Sequence, residues 1–224
     1  MQIKTLSRVT AAGQVSEILR RAIIDGELQA GEILRQEELA ARLGVSRIPL
    51  REALRQLEGE GFVTSTPHRG VVVAGFSMDE LREISEIRST LESQLLRLAI
   101  PQHTEQTIRQ CETIADEIDA DERALDDWAA NNWRFHSALY APAARPRTLA
   151  LAASYHTHTQ RYLGMHIRYM NYKREGQREH RKLLELTAKH QTEKAVELLQ
   201  KHIGDVVEML RDFTERERAM RQRN

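Results

Sequence analysis

The segment WAANNWRFHSALY, residues 128–140, contains the first side chains with the chemistry of a ligand site. Asn132 precedes His136 by four residues, so on a helix the two side chains lie one turn apart on the same face. An amide oxygen and an imidazole nitrogen can both bind a divalent metal ion. A single histidine in a helix, however, is more often a packed residue. The spacing leaves both interpretations of His136 open.

A second chemical pattern lies in VSRIPLREALRQLEGEG, residues 45–61. Four-residue spacing places Arg47, Arg51 and Arg55 on one face of a helix, and the apolar residues between them face inward. Ser46 can supply an N-cap oxygen, and the helix dipole favours a phosphate there. Guanidinium groups can bind guanine edges or grip phosphates. The pattern predicts a DNA-recognition helix rather than a solvated basic face.

The segments around this helix predict a winged helix-turn-helix. Residues 11–25 have apolar side chains at helical spacing, and EELAARLG predicts a second helix that ends at Gly44. A tight turn at Gly44 and Val45 then leads into the recognition helix. FVTST and GVVVAG are β-rich and are separated by PHRG, which predicts a hairpin ending near Gly75.

The tip of the predicted wing extends the DNA-binding surface. His68 and Arg69 precede Gly70, and glycine permits close backbone approach to an adjacent minor groove. Arg35, at the start of the second helix, is placed to touch the DNA backbone. The full predicted DNA-binding set is Arg35, Ser46, Arg47, Arg51, Arg55, His68, Arg69 and Gly70.

The rest of the chain predicts an all-helical bundle of about six or seven helices. Its amphipathic segments are interrupted near Pro101, at residues 142–146, near Asn171 and at residues 190–192. The fold class is therefore mainly α. We predict a winged helix-turn-helix domain over residues 1–76 and a helical effector- and metal-binding domain over residues 77–224, with the linker near Gly75 to Met78.

Composition limits the classes of protein that the chain can represent. Lys plus Arg equals Asp plus Glu at 33 each, so DNA binding must come from a local basic patch. The single cysteine, Cys111, excludes an intramolecular disulfide framework and is interpreted as a half-buried helical thiol. No segment approaches the roughly 20 apolar residues of a membrane span, and the N-terminus lacks the apolar region of a secretion signal. We expect a cytoplasmic protein with no membrane partner.

The N-terminal segment resembles the winged helix-turn-helix of the GntR family of bacterial transcription regulators. The likeness covers residues 19–73 almost throughout, from LRRAIIDGELQAGE to TPHRGVVV. It implies DNA contacts at Arg35, Arg47, Arg51 and Gly70, with Ser46, Arg55, His68 and Arg69 as additional positions. One departure is Ile48, where the family usually has threonine; this change would remove a hydroxyl contact while leaving helix docking intact.

Residues 78–220 resemble, less closely, the FCD ligand-binding domain of the FadR subfamily. The likeness rests on ISEIRSTLESQLLRLA, NNWRFHSAL and REHRKLLELTAKHQTEKAVELLQKHI. Many members bind a divalent metal through an aspartate and a histidine at i and i+4 and two later histidines. The matching positions here are Asn132, His136, His180 and His202. The break near residue 190 puts the last two on different helices, and a bundle can bring three helices to one point.

The implied metal site departs from the family at Asn132, where aspartate is usual, so it loses one negative charge. Three imidazoles favour Zn²⁺, with Ni²⁺, Mn²⁺ and Fe²⁺ as alternatives, and the missing carboxylate penalises hard ions most. A weaker or empty site is the other interpretation. The remaining histidines of this domain, His103, His156, His158, His166 and His190, are interpreted as structural or surface residues.

Arg88, in EIRSTLE, matches the family position that points an arginine into the effector cavity. Its guanidinium can bind a carboxylate through two hydrogen bonds. The alternative for Arg88 is a salt bridge with Glu92 or Glu86. If the resemblance holds, the effector is a small organic acid.

These features predict a homodimeric transcription regulator, a repressor, that binds a pseudo-palindromic DNA operator under the control of an organic acid beside a divalent metal. Two alternatives stay open: a regulator for which the metal itself is the signal, and an enzyme that uses metal-bound hydroxide. The sequence contains no HExxH motif and lacks the usual carboxylate, so we do not predict an enzyme.

Overall fold

The structure is a computed structural model, and it describes residues 10–67, 69–75, 77–120, 128–164 and 172–221. The chain divides into two compact units, Met1–Phe76 and Ser77–Asn224. Each unit has a hydrophobic core of its own among the described residues. The predicted fold class, mainly α with a small β-hairpin, is confirmed.

The N-terminal unit has three helices followed by an antiparallel hairpin, as predicted. The elements are α1 Ala11–Ile24, α2 Gln36–Leu43, α3 Arg47–Gly59, β1 Val63–Thr66 and β2 Gly70–Val73. The hairpin pairs Val63 with Val73 and Thr66 with Gly70. A single bridge between Ile33 and Val72 adds the segment before α2 to the hairpin, a pairing that the sequence pattern did not predict.

The turn between α2 and α3 depends on Gly44. Its φ of 64° lies in the left-handed region, which glycine enters without the steric cost that a Cβ imposes. The N–H of Val45 donates to the carbonyl of Ala40 at 3.0 Å and closes the end of α2. Ser46 occupies the N-cap position of α3, but its side chain makes no capping hydrogen bond, so the predicted N-cap oxygen is wrong. The Ser46 side chain is exposed, where water can replace that bond.

The inward face of α3 forms the centre of the N-terminal core. Its four buried residues are Leu50, Ala53, Leu54 and Leu57. They pack in one cluster with the buried face of α1. Polar contacts also join the two helices: Ser16 donates to Gln56 at 3.2 Å, and Arg20 pairs with Glu60 at 2.7 Å. The outer face of α3 is thereby held in a defined orientation.

The C-terminal unit contains six α-helices among the described residues, within the predicted range. They are α4 Met78–Ala99, α5 Glu105–Ala120, α6 Trp128–Tyr140, α7 Pro146–Gly164, α8 Tyr172–Ala188 and α9 Thr192–Arg221. Short 3₁₀ turns, Ile100–Gln102 and Ala141–Ala143, follow α4 and α6. The interruptions predicted near Pro101, at 142–146 and at 190–192 occur, and the one near Asn171 lies outside the described residues.

Helix α4 lies in the interior of this unit, because it packs against α6, α7 and α9. Its buried residues include the charged pair Arg88 and Glu92. Helices α6, α8 and α9 bring their own buried polar residues toward the same interior. None of the described helices combines the length and apolar character that crossing a bilayer requires.

Candidate metal centre and nucleic-acid interface

Three histidines from three helices meet inside the C-terminal unit. His136 lies on α6, His180 on α8 and His202 on α9, and all three are buried. Each offers one ring nitrogen, and these three nitrogens lie within 4.8 Å of one another. The ring centroid of His180 is 4.8 Å from that of His136 and 5.1 Å from that of His202. The helix breaks that separate these residues in the sequence are what allow the three rings to converge.

The hydrogen bonds of His136 determine which of its nitrogens carries the proton. Tyr140 donates its hydroxyl proton to Glu92 over 2.8 Å, so the Tyr140 oxygen accepts from Nδ1 of His136, 3.1 Å away. Nε2 of His136 is then an unprotonated lone pair. This atom is buried and has no hydrogen-bond partner among the described residues. Buried polar atoms are nearly always paired, so this lone pair beside two imidazoles fits a metal ligand.

His180 and His202 are oriented in the same manner. Gln177 accepts from Nδ1 of His180 at 2.7 Å, and Glu179 accepts from Nδ1 of His202 at 2.7 Å. An acceptor on one imidazole nitrogen selects the tautomer and directs the other nitrogen toward a metal. All three histidines therefore present Nε2 as a lone-pair donor. The hydrogen bond from His202 also lowers the pKa of Glu179, which keeps that carboxylate ionised.

The electrostatics favour neutral imidazoles at His136 and His180. Burial lowers the pKa of His136 and His180 well below the usual value, and the neighbouring imidazoles act in the same direction. A metal binds the neutral form of histidine, so protons do not compete with an ion for these two residues at neutral pH. The three residues therefore fit a divalent ion that prefers nitrogen ligands.

Asn132 lies beside the cluster, but its oxygen is engaged elsewhere. Its Nδ2 is 3.3 Å from Nε2 of His180, and its Oδ1 is 2.7 Å from Nε2 of His156 on α7. Because a carbonyl oxygen only accepts, Nε2 of His156 carries the proton of this bond. The amide thus turns its N–H toward His180. The structure brings the implied fourth ligand next to the cluster with its nitrogen, rather than its oxygen, toward the imidazoles.

His156 is the site residue that sequence reasoning did not single out. It is buried, its ring centroid lies 5.0 Å from that of Trp133, and burial followed by the charge of Arg88 lowers its pKa well below the usual value. The sequence offered one signal that His156 could belong to the site, its position on a long predicted helix. That signal was insufficient, because a helical histidine without a spaced partner is usually structural.

Arg88 forms the ion pair that the sequence left open as its alternative role. Its Nε donates to Oε1 of Glu92 at 2.7 Å, and both side chains are buried. Its Nη1 donates to Thr159 on α7 at 3.3 Å. Glu92 also accepts from Tyr140, so a continuous chain of hydrogen bonds runs from Arg88 through Glu92 and Tyr140 to His136. Desolvation by burial, followed by the charge of Glu92, raises the pKa of Tyr140 well above the usual value, so its hydroxyl keeps its proton.

The predicted DNA-binding residues of the N-terminal unit lie on its surface. The residues of this set that are exposed to solvent are Arg35, Ser46, Arg47, Arg51, Arg55, Arg69 and Gly70. His68 lies outside the described residues. Gly70 begins β2 with a φ of 78°, a left-handed conformation that suits glycine at the wing tip. Arg47 pairs with Glu37 at 2.6 Å and Arg35 with Glu38 at 3.2 Å, and both ion pairs are exposed.

Comparison with known proteins assigns both units. Residues 11–73 match the family described as "Bacterial regulatory proteins, gntR family", and residues 83–205 match the "FCD domain". The chain belongs to the GntR family. It is a DNA-binding transcription regulator with a C-terminal FCD domain.

Individual relatives agree with this membership of the GntR family. The HTH-type transcriptional repressor GlaR of Escherichia coli (strain K12) is 30% identical over 198 residues, which cover 83% of this chain and 89% of GlaR. A GntR family member from Pseudomonas syringae pv. tomato str. DC3000 has a TM-score of 0.53 at 33% identity, over 90% of this chain and 88% of that chain. E. coli McbR/YncC has a TM-score of 0.72 at 21% identity, over 92% of this chain and 100% of that chain. This likeness shows a shared fold.

Proposed function

We propose that this GntR-family regulator is a repressor whose operator binding is controlled by a divalent metal and a small carboxylate metabolite. The observation that carries the proposed control is the unpaired, buried Nε2 of His136 beside His180 and His202. The relative GlaR is by name a transcriptional repressor, and this likeness supports the same sign of regulation here.

DNA recognition is assigned to the outer face of α3 and to the wing. Arg47, Arg51 and Arg55 project from this face, and they bind base edges and phosphates in the major groove. The exposed ion pairs of Arg35 and Arg47 with glutamates of α2 stabilise the free protein by about 0–1 kcal/mol each. Phosphate oxygens can therefore replace those carboxylates at little cost. Ser46 contributes to the phosphate contacts at the start of α3, and His68, Arg69 and Gly70 approach the adjacent minor groove.

The ion that we assign to the cluster is Zn²⁺, held by His136, His180 and His202. Asn132 would serve as a neutral fourth ligand only after its amide turns its oxygen from His156 to the ion. Three neutral imidazoles suit Zn²⁺, and Ni²⁺, Fe²⁺ or Mn²⁺ would meet the same nitrogens. No carboxylate is part of this set, which disfavours Mn²⁺ most. When bound, such an ion supplies a Lewis-acidic position for an oxygen ligand of the effector.

Arg88 is the second anchor that we propose for a carboxylate. Its guanidinium already holds Glu92, so an incoming carboxylate would compete with that residue for the same donors. Glu92 also holds Tyr140, which in turn orients His136. Binding at Arg88 therefore acts on His136 through three successive hydrogen bonds, from Arg88 to Glu92, from Tyr140 to Glu92 and from His136 to Tyr140. Helix α4, which carries Arg88 and begins next to the boundary between the units, is the proposed lever.

The regulator acts as a homodimer in the cytoplasm, where the chromosome lies. Two copies of α3 related by two-fold symmetry would read half-sites about one helical turn apart, on a pseudo-palindromic operator. An effector can act as a switch only if it binds the DNA-competent and DNA-incompetent states with different affinities.

A metal-responsive regulator is the second candidate. The observation that favours it is that His180 and His202, two of the three converging histidines, are oriented by Gln177 and Glu179 without any contribution from Arg88. Operator binding that changes with the ion alone would support this candidate. Turnover of a tested acid would instead support the metal-dependent enzyme, the remaining alternative.

The DNA assignment is tested by operator affinity of wild type, Arg47→Ala and Arg51→Ala at moderate, fixed salt. We expect each variant to lose about 1–3 kcal/mol, five- to 150-fold in affinity, because each removes a base or phosphate contact. Arg109→Ala is the matched control, since Arg109 is an exposed arginine of α5 in the other unit. Unchanged affinity in both α3 variants would overturn the assignment.

The metal assignment is tested by elemental analysis after equilibrium dialysis against Zn²⁺. We expect about one ion per chain in the wild type and none in the His136→Ala, His180→Ala double variant. The control is His190→Asn, since His190 is exposed and asparagine tolerates its left-handed backbone. Equal metal in the wild type and the double variant would overturn the site. Operator binding with and without added acids then separates the effector from the ion.

A further inference from the structure

The recognition helix exposes a large apolar side chain among its arginines. Ile48, in the first turn of α3, is 70% exposed, the highest value among the exposed large hydrophobic residues that the structure describes. Such exposure is unfavourable in the free protein, because an isoleucine side chain gains stability when it leaves water. Single exposed apolar residues are common on protein surfaces, and Ile18, Ile33 and Leu151 are others here, so it is the placement of Ile48 on the recognition helix that points to a partner.

The position of Ile48 on α3 determines what that partner can be. Arg51 is three residues further on and Arg55 seven, so the three side chains form one stripe on the outer face of the helix. The first turn of a recognition helix is the part whose side chains reach base edges. Ile48 is β-branched, and such side chains hold one dominant rotamer in a helix. Its methyl groups therefore have a defined direction before any contact is made.

We propose that Ile48 reads a thymine in each half-site, through van der Waals contact with the C5-methyl group in the major groove. In the unmodified major groove, that methyl group is the large apolar feature of the base-pair edges; cytosine has only a C5–H at the same place, and the other groups are hydrogen-bond donors or acceptors. Isoleucine can pair with none of those polar groups, and covering them would leave them unsatisfied. The contact therefore favours thymine over the other bases. This inference rests on the proposed role of α3 in DNA recognition and adds a base preference to it.

The experiment begins with operator sites selected by the full-length wild type from a random duplex library. Each thymine of a half-site is then replaced by deoxyuridine, which lacks the C5-methyl group and keeps the same hydrogen-bonding edge. We expect one replacement per half-site to weaken binding about fourfold, the effect of one buried methyl group. Affinities are measured by fluorescence anisotropy at one salt concentration.

Two variants of Ile48 assign the effect to this side chain. In Ile48→Ala the deoxyuridine penalty should vanish, whereas Ile48→Val, which keeps the branching at Cβ and loses one methylene group, should retain most of it. Because Ile48 is exposed, both variants should unfold at the wild-type temperature, and a thermal melt checks this. Replacing the sensitive thymine with 5-methylcytosine, paired with guanine, should weaken binding less than replacing it with cytosine.

If no deoxyuridine replacement in a selected operator weakened binding, the thymine contact of Ile48 would be overturned, and the role of α3 in DNA recognition would stand. A penalty of equal size in wild type and Ile48→Ala would have the same meaning, since the methyl group would then be read by another residue. A wild type that selects no sequence, or Arg47→Ala and Arg51→Ala variants that bind as wild type does, would overturn the role of α3 as well.

Discussion

At the scale of single residues, Asn132 governs how strongly the histidine cluster can hold an ion. Its amide nitrogen lies near His180, and its oxygen accepts from His156. An ion at the cluster would compete with this amide for the lone pair of His180. It would also receive no negative charge from the ligand set. Both effects weaken metal binding relative to a carboxylate at the same position.

Asn132→Asp should therefore tighten the binding of divalent ions, and Mn²⁺ should gain more than Zn²⁺. We expect an increase on the order of tenfold for Mn²⁺, about 1.4 kcal/mol, because a hard ion depends most on a carboxylate oxygen. Competition with a coloured chelator measures both ions. The control is Asn131→Asp, which adds the same charge one residue away. Equal tightening in the two variants would indicate a general charge effect and argue against ligation at position 132.

Cys111 offers a second test at this scale. The structure buries it in α5, more fully than the half-buried position expected from the sequence, and burial raises its pKa to about 11. A raised pKa favours the neutral thiol, so at pH 8 only about one thiol in a thousand is the reactive thiolate. We expect native protein to resist iodoacetamide at pH 8 and unfolded protein to react quickly, as mass spectrometry would show. Native labelling at the rate of a free cysteine would contradict this.

At the scale of elements, the orientation of the recognition helix depends on the turn at Gly44. A Cβ built at Gly44 would meet no atom within 4 Å, so any cost of a substitution there comes from its φ of 64°. The predicted turn is local, since Gly44 and Val45 close α2 with bonds to its last residues. The bridge between Ile33 and Val72 is not local, and it ties the segment before α2 to the wing.

Gly44→Ala should destabilise α2 and α3 by about 1–2 kcal/mol, because an L-residue in the left-handed region brings its Cβ too close to the following carbonyl oxygen. Native-state hydrogen exchange of the α2 and α3 amides measures the loss locally. Gly59→Ala is the matched control: Gly59 lies within α3, has equally open space and should be neutral or stabilising. If the Gly44→Ala variant were as stable as the Gly59→Ala variant, the proposed cost of the left-handed φ at Gly44 would be refuted.

At the scale of the whole molecule, the cluster connects most of the C-terminal unit. His136, His180 and His202 join α6, α8 and α9, the pair of Asn132 and His156 adds α7, and Glu92 adds α4. An ion bound here would touch only the folded arrangement, because the unfolded chain separates the ligands. Metal binding should therefore appear as stability of the entire unit.

Zn²⁺ at about 100 times its Kd should stabilise the folded unit by about 2.7 kcal/mol. For a domain of roughly 150 residues, this corresponds to a rise in Tm of about 5–10 °C, measured by calorimetry. The His136→Ala, His180→Ala double variant should show no such rise, and Mg²⁺ at the same concentration serves as the ion control. An equal Zn²⁺ shift in the double variant would place the ion elsewhere.

The sequence by itself determined the features that depend on neighbours in the chain. Glycine, proline and apolar periodicity predicted the helix-turn-helix, the hairpin and the helix breaks, and the resemblance implied His136, His180 and His202. The side-chain cap expected at Ser46 was wrong, because a hydroxyl in the N-cap position can bond to water instead. Only the tertiary structure decided the amide orientation of Asn132, its bond to His156, and the path from Arg88 through Glu92 to His136. The pair of Arg88 and Glu92 lies within α4, and the sequence had offered it as an alternative. The bonds from Tyr140 to Glu92 and from His156 to Asn132 join helices far apart in the chain, and packing in three dimensions determines that those side chains meet.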